Sequence, residues 1–150
     1  MPTLTGKTAL VTGASRGMGR ASALALAAAG AQVLVHYGRG AKEAGAVVAE
    51  IRNGGGRADA IAMDLATADG AGKLARQARS IIGDRLDILV ANAGVSKAAT
   101  IEEMTVQDFD KLFAVNVRAT VFVGLRGHEG RDRHPCEVLR GGARAAGHPR

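Results

Sequence analysis

Three glycines near the N-terminus have the spacing of a turn that can hold a phosphate group. They lie in the stretch Thr12-Gly13-Ala14-Ser15-Arg16-Gly17-Met18-Gly19. A short apolar run at residues 8–11 precedes the turn, and an Ala- and Leu-rich segment of high helix propensity follows it. Glycine allows the backbone to turn tightly and approach a ligand, and a following helix offers free N–H groups to a diphosphate. This context predicts a nucleotide site whose contacts come from Gly13, Ser15, Arg16, Gly17, Met18 and Gly19.

The charges beyond this turn indicate which nucleotide it would hold. Sites for NAD(H) usually carry an acid about 20 residues past the turn, where it bonds the ribose 2′-hydroxyl. No acid occurs between Gly19 and Glu43, and Arg39 occupies that region. Together with Arg16 in the turn, Arg39 supplies a second guanidinium group, which suits a 2′-phosphate. The sequence predicts a preference for NADP(H). NAD(H) remains the alternative if both arginines are ordinary surface charge.

Further polar motifs follow the third and fourth apolar runs. Asp64-Leu65 comes after the third run, and Asn92-Ala93-Gly94 comes after the fourth. Taken alone, Asp64 is typical of a turn, and Asn92 can satisfy backbone groups in a loop. A second asparagine, Asn116, lies in a segment with helical spacing of apolar residues. From the residues alone it is equally a hydrogen-bonded core residue, because its helix face is shared by Phe109, Leu112, Phe113, Val117 and Thr120.

In this order the four motifs resemble the short-chain dehydrogenase/reductase family over about residues 1–125. The resemblance implies that Asp64 lies against the adenine and that Asn92-Ala93-Gly94 ends the fourth strand in a partly structural role. It implies that Asn116 positions a water in a proton relay. It also implies hydride transfer between a nicotinamide dinucleotide and a small carbonyl or alcohol substrate, and a homo-oligomer interface that includes the fourth helix. The prediction contains no metal site.

The resemblance further implies a catalytic Ser, Tyr and Lys on the strand and helix after Asn116. No serine follows Ser96, no tyrosine follows Tyr37 and no lysine follows Lys111 in this sequence. We assign Tyr37 and His36 to packing at the adenine end of the site. We therefore expect nucleotide binding without turnover. The alternative is a non-catalytic NADP(H)-sensing module with a basic tail. A methyltransferase fits less well, because its cofactor site generally carries an acid after the second strand and none is present here.

Alternating apolar runs and helical segments must position these motifs. Strands are predicted at residues 8–11, 31–35, 58–63 and 86–90, and helices at 20–29, 41–52, 68–82 and 105–123. Short links between them predict an α/β fold with a doubly wound parallel sheet of the Rossmann type, incomplete on its C-terminal side. Thr105 and Asp108 are placed to begin the fourth helix. An unpaired strand edge beside residues 89–91, and exposure of Phe109, Phe113 or Phe122, predict poor solubility or association.

Composition limits the class of protein. The 150 residues allow one domain, and a chain with 47% hydrophobic but only 3% aromatic residues must build its core from Ala, Val, Leu and Ile. A single cysteine, the lack of a signal-peptide pattern and the lack of a long apolar run favour a soluble cytoplasmic protein outside the membrane.

The last 25 residues differ from the rest. They hold six arginines and no lysine, three of the four histidines, two of the three prolines and the only cysteine. Half of the net charge of +6 lies there, which argues against nucleic acid as a partner of the domain itself. We expect a disordered tail at 126–150 after a dinucleotide-binding domain at 1–125. A reading-frame shift near residue 125 is favoured over a basic nucleic-acid-binding arm, and another frame should then encode Ser and Tyr-x-x-x-Lys.

Overall fold

The computed structural model of the protein describes residues 3–126 and 137–138. Strands and helices alternate along the first part of the chain as β1 (Thr8–Val11), α1 (Gly17–Ala28), β2 (Gln32–Tyr37), α2 (Ala41–Asn53), β3 (Arg57–Ala62), α3 (Gly70–Ile82) and β4 (Ile88–Val90). A long helical stretch follows as α4 (Val106–Phe113), a π-helical segment (Ala114–Ala119) and α5 (Thr120–Arg126), and a short β5 (Glu137–Val138) comes last.

The strands form one parallel sheet in the order β3-β2-β1-β4-β5. In its register Thr8 of β1 lies opposite Gln32 of β2, and Val11 lies opposite Val90 of β4. The chain moves outward from β1 to β3 and then returns to the other side of β1 with β4. This reversal confirms the predicted doubly wound arrangement. It also creates a crevice where the carboxyl ends of β1 and β4 meet, the usual ligand position in such sheets.

Alternate residues of each central strand enter two separate cores, one on each face of the sheet. The core that packs on α1 and α2 includes Ala9, Val11, Val33 and Val35. The core that packs on α3 and α5 includes Leu10, Leu34, Ile61 and Leu89. Among the described residues no aromatic side chain is buried in either core, as the composition predicts. Small aliphatic side chains let helices lie close to both faces, which fixes the positions of the loops at the strand ends.

Several predicted helix ends are confirmed. Gly30 follows α1 with a φ of 100°, and Gly83 follows α3 with a φ of 73°, both in the left-handed region that glycine tolerates. At the start of α4 the Thr105 hydroxyl accepts a hydrogen bond from the Asp108 N–H, and the Asp108 carboxylate accepts one from the Thr105 N–H. The sequence predicts Thr105 and Asp108 at the start of this helix, and the structure joins them in a reciprocal capping box.

The helix predicted at 105–123 is not one regular α-helix. Residues Ala114–Ala119 form a π-helical segment between α4 and α5. Asn116 lies in this segment, and its backbone carbonyl accepts a 3.2 Å hydrogen bond from the Thr120 hydroxyl. A wider turn adds a residue without changing the general apolar pattern, so the periodicity that predicts a helix does not reveal it.

The outer edge of β4 differs from the prediction. Glu137 and Val138 pair in parallel with Ile88 and Leu89, so β4 is not an edge strand at these positions. A strand of two residues needs only backbone N–H and C=O groups, and no apolar alternation of that length is detectable in a sequence. The prediction of a disordered tail at 126–150 did not include this two-residue strand. For 127–136 and 139–150 it lies outside the described residues.

The predicted exposure of the fourth helical stretch is confirmed. Phe109 and Phe113 are each 51% exposed and Phe122 is 44% exposed. The rings of Phe109 and Phe113 stack with centroids 4.3 Å apart. With Val106, Val117 and Val121 they form an apolar face, named here the α4–α5 face. None of the helices in the described part of the chain has the length and apolar character needed to cross a membrane.

Candidate nucleotide-binding site

A cavity of about 530 Å³ opens at the carboxyl ends of the strands, at the crevice between β1 and β4. It gathers residues from the glycine turn, from the loops after β2, β3 and β4, and from α4 and the π-helical segment. The predicted site residues that line it are Gly13, Ser15, Arg16, Arg39, Asp64, Leu65, Asn92, Ala93 and Gly94. The fold thus brings together motifs that are as far as 81 positions apart in the sequence, as between Thr12 and Ala93.

Thr12 and Asn92 join the ends of β1 and β4. The Thr12 hydroxyl accepts hydrogen bonds from the backbone N–H groups of Asn92 and Ala93, each at 3.0 Å. In return, the Asn92 amide nitrogen donates to the carbonyls of Thr12 and Gly13, each at 3.1 Å. The Asn92 amide nitrogen therefore bonds two backbone oxygens of the turn, and its side chain stabilises the cavity wall.

The glycines of the turn are required for two different reasons. Gly13 has a φ of 64° and Gly17 a φ of 57°, which other residues rarely adopt. Gly19 has an ordinary φ, but a Cβ there would lie on the Gly13 carbonyl oxygen and 2.5 Å from the Asn92 amide nitrogen. Gly17, Met18 and Gly19 do not line the cavity, in contrast to their neighbours in the predicted set. Gly17 and Gly19 shape the turn, and Met18 is 80% exposed.

The N-terminus of α1 faces this turn without a side-chain cap. Arg16 is the N-cap residue, its side chain makes no cap hydrogen bond, and no acid lies in the first turn of the helix. The first backbone N–H groups of a helix have no partner within the helix, and the helix dipole is positive there. The arrangement therefore provides hydrogen-bond donors and a favourable potential for a phosphate group.

Arg16 and Arg39 both line the cavity, and their neighbours Ser15 and Gly40 approach each other, since a Cβ at Gly40 would lie 3.1 Å from the Ser15 Oγ. Among residues 3–126, neither guanidinium group forms an ion pair or a side-chain hydrogen bond. Asp64 supplies the only carboxylate in the described lining, and one of its oxygens accepts a 2.8 Å hydrogen bond from the Ala66 N–H. The described cavity is therefore positive at the end where these arginines lie.

His36 is a member of the site that the sequence assigned to packing. Its ring is 2% exposed and lines the cavity. Nδ1 accepts a hydrogen bond from the Gly13 N–H, and Nε2 lies 3.0 Å from the Met63 carbonyl. Burial lowers the pKa of His36 below its usual 6.5, whereas the bond to the Met63 carbonyl acts in the opposite direction. A polar residue within an otherwise apolar strand was the signal in the sequence, although that signal does not specify the partner.

Asn116 lies outside this cavity and lines an adjoining one of about 620 Å³. The two cavities share Ala93, Gly94 and Val95. The Asn116 amide closes a two-bond ring with the Val95 backbone, since its Nδ2 donates to the Val95 carbonyl and its Oδ1 accepts from the Val95 N–H, each at 2.8 Å. Asn116 is exposed, so the alternative of a core residue is wrong, although the expected hydrogen bonding is present.

Two further lining residues come from the long helical stretch. Lys111 of α4 and Val115 of the π-helical segment both reach the nucleotide cavity, and the sequence prediction contained neither. Their spacing of four residues places them on one helix face, which is the signal that was available. The neighbouring Arg118 donates a 2.6 Å hydrogen bond to the Ala66 carbonyl and so holds this segment against the loop after β3.

A parallel sheet with a glycine turn at its point of reversal defines a Rossmann-type nucleotide-binding domain. The family model described as short chain dehydrogenase matches residues 7–126. Because the match covers most of the chain, the protein belongs to the short-chain dehydrogenase family, as the motifs predicted.

Individual relatives agree with this assignment. The hydroxynaphthalene reductase-like protein Arp2 of Metarhizium robertsii is 41% identical over 141 residues, which cover 94% of this chain and 49% of that protein. The structure of angucycline C-6 ketoreductase LanV with bound NADP matches with a TM-score of 0.79 and 45% identity, covering 83% of this chain and 51% of LanV. A short chain dehydrogenase from Burkholderia cenocepacia J2315 in complex with NADP gives a TM-score of 0.78 and 43% identity. The match covers 83% of this chain and 50% of the Burkholderia chain. The chain spans about half the length of the curated relatives that it matches.

Proposed function

We propose that the chain binds NADP(H) in the cavity at the ends of β1 and β4. The diphosphate would lie at the open N-terminus of α1, and the 2′-phosphate beside Arg16 and Arg39. Asp64 and Leu65 would hold the adenine, and the nicotinamide end would face the loop from Asn92 to Gly94. The observation that carries the proposal is a pair of guanidinium groups that have no ion-pair partner among the described residues, beside an uncapped helix N-terminus.

The residues present fit this dinucleotide. A 2′-phosphate carries about two negative charges at neutral pH, and guanidinium groups bind phosphate in a planar two-bond geometry. The only carboxylate in the described lining, that of Asp64, already accepts a backbone hydrogen bond from Ala66. The NADP carried by LanV and by the Burkholderia dehydrogenase supports the same choice for this chain.

We further propose that the family reaction is carbonyl reduction or alcohol oxidation, for which bound NADP(H) supplies or accepts a hydride. Asn116 and Val95 would shape the adjoining cavity, where a small carbonyl or alcohol would lie. The 150 residues contain no tyrosine beyond Tyr37 and no lysine beyond Lys111 to provide the family's proton donor and its partner. An amide such as Asn116 does not titrate near neutral pH and cannot replace a phenol. The chain as it stands is therefore proposed to bind nucleotide without turnover.

Titration of the purified chain with NADPH and NADH tests the binding proposal. One charge-assisted hydrogen bond contributes about 1.5–3 kcal/mol, which corresponds to a roughly tenfold to hundredfold preference for NADPH. Arg39→Asp should remove most of that preference. The matched control is Arg76→Asp, because Arg76 is an exposed arginine of α3 outside the cavity. Equal affinities for the two nucleotides, or an unchanged preference in Arg39→Asp, would contradict the proposal.

A turnover assay with NADPH and a small ketone tests the second part. Loss of a general acid costs about 10²–10⁴-fold in rate. We expect NADPH to bind without measurable oxidation. Oxidation that depends on the ketone would show that another group of this chain donates the proton. Binding without oxidation is also what the sensing-module alternative predicts, and the encoding frame beyond residue 125 separates the two.

A further inference from the structure

His36 connects the two walls of the nucleotide cavity. It is the fifth residue of β2, and its ring lies between the glycine turn after β1 and the loop after β3. Nδ1 is 3.0 Å from the Gly13 nitrogen, and Nε2 is 3.0 Å from the Met63 carbonyl oxygen. The Gly13 N–H can only donate and the Met63 carbonyl can only accept. A single form of the ring satisfies both partners, the neutral ring with its proton on Nε2.

Gly13 combines a left-handed backbone with close packing against the loop after β4. Its φ of 64° is paired with close packing, since a Cβ at this position would lie 2.8 Å from the Ala93 Cα. The Thr12 carbonyl, which belongs to the same peptide group as the Gly13 N–H, accepts a hydrogen bond from the Asn92 amide, so the His36 ring is the partner on the opposite side of that peptide group. Without the ring as acceptor, a partly buried N–H beside the cavity would have no hydrogen bond, which costs about 1–3 kcal/mol.

We propose that His36 is a positioning residue that holds the glycine turn in its nucleotide-binding form only while its ring is neutral. Protonation takes a proton from solvent onto the Nδ1 lone pair and leaves two N–H donors facing each other between His36 and Gly13. That hydrogen bond is then lost, while the bond from Nε2 to Met63 remains. The inference rests on the proposed NADP(H) site.

Burial of the His36 ring opposes its protonation. The charged side chains that line the same cavity are Arg16, Arg39, Asp64 and Lys111. Glu43 of α2 lies near Gly40. Tyr37, the next residue of β2, packs against the core on the α1 and α2 face of the sheet. The described lining thus carries three cations and one carboxylate, and burial lowers the pKa of His36 below 6.5 against the opposing effect of the bond to the Met63 carbonyl.

Because the pKa of His36 is lowered in the folded chain, stability should fall as the pH falls. The pKa of His36 in the folded chain is lower than in the unfolded chain, so the unfolded chain binds more protons in the interval between the two values. The stability contributed by the neutral ring is fully present above pH 6.5. It is lost as the pH falls below 6.5 and through the folded pKa. NADP(H) affinity should fall in the same direction.

The test compares the wild-type chain with His36→Asn, which keeps an acceptor near the Nδ1 position but gains no proton. NADPH dissociation constants are measured between pH 8 and pH 5. The 2′-phosphate itself has a pKa of about 6 and weakens binding equally in both proteins. We expect the wild type to lose about tenfold more affinity than His36→Asn for each pH unit below the pKa of the ring. Parallel pH profiles would overturn the proposal.

Two further measurements separate this inference from the proposed function. If the wild-type chain binds no NADPH at pH 8, the proposed function fails. The role of His36 in holding the glycine turn is then tested on the nucleotide-free chain. There the wild-type Tm should fall more steeply than that of His36→Asn as the pH drops below 6.5. If the variant does not fold, NMR of the wild type decides, because the Gly13 amide resonance should titrate together with the His36 ring. A Gly13 amide that does not respond to the ring's titration contradicts the proposal.

Discussion

Gly13 and Gly19 show that the shape of the glycine turn requires residues without a side chain. Gly13 needs its left-handed backbone, and Gly19 needs the absence of a Cβ. The sequence predicted the glycine turn because three glycines between a strand and a helix are recognisable from types and spacing. It predicted that Asn92 can bond backbone groups of a loop. It did not predict that Thr12, Asn92 and His36 bond this turn, because their partners are backbone atoms that only the packed sheet brings within reach.

Gly19→Ala tests whether the glycine turn requires the absence of a Cβ at this position. The new Cβ would overlap the Gly13 carbonyl oxygen and the Asn92 amide, so the turn must shift. We expect a loss of about 1–3 kcal/mol in the free energy of unfolding, as for other overpacked sites, and weaker NADPH binding. Urea unfolding and nucleotide titration provide the two measurements.

Gly45→Ala is the matched control for that substitution. Gly45 lies inside α2 with nothing within 4 Å of the added Cβ. We expect stabilisation by roughly 0.5–1 kcal/mol, because alanine is the better helix former. If both variants behave alike, the close contact at Gly19 is not what makes glycine necessary there.

At the scale of the elements, the start of α4, the helix that contributes Lys111 to the cavity, is fixed by a capping box. The Asp108 carboxylate bonds the side chain and backbone of Thr105 and pairs with Lys97. These partners, with the Lys97 bond first, lower the pKa of Asp108 to about 2. Capping boxes are local in sequence, which is why Thr105 and Asp108 could be predicted. The π-helical segment after α4 could not, because an added residue leaves the apolar spacing unchanged and the bonds of its Asn116 go to the distant Val95 backbone.

Thr105→Ala should lower the free energy of unfolding by about 1 kcal/mol, the usual effect of losing an N-cap. Thr100→Ala is the control, since Thr100 is an exposed threonine nearby whose bonds come from its backbone. The pKa of Asp108, followed by NMR, should rise in Thr105→Ala toward its ordinary 3.8. An unchanged pKa together with unchanged stability would mean that the cap contributes nothing to α4.

At the scale of the whole molecule, alternating strands and helices were sufficient to predict the doubly wound parallel sheet. The short β5 was not predictable, because two residues carry no pattern. The exposed α4–α5 face was predictable from the phenylalanines at helical spacing, and it is the largest group of exposed apolar side chains described. Contiguous apolar surface of this kind is typical of an interface or an association site.

We expect the purified chain to associate in a concentration-dependent way through the α4–α5 face. Phe113→Glu should shift sedimentation toward the monomer, because it places a charge beside the stacked Phe109 ring. Ile81→Glu is the control, since Ile81 is a partly exposed apolar residue of α3 outside that face. A wild-type chain that remains a monomer at high concentration would contradict the expectation, as would equal effects of the two substitutions.

The central claim is that this family member holds NADP(H) in the cavity where β1 and β4 end, with the 2′-phosphate at the two arginines. NMR mapping of backbone amide shifts on addition of NADP⁺ and then, separately, of NAD⁺ tests it most directly. We predict shifts in the glycine turn and at residues 64–66 and 92–95 with both nucleotides, and at Arg16 and Arg39 chiefly with NADP⁺. Shifts elsewhere in the chain, or identical shifts at the two arginines with both nucleotides, would contradict the account.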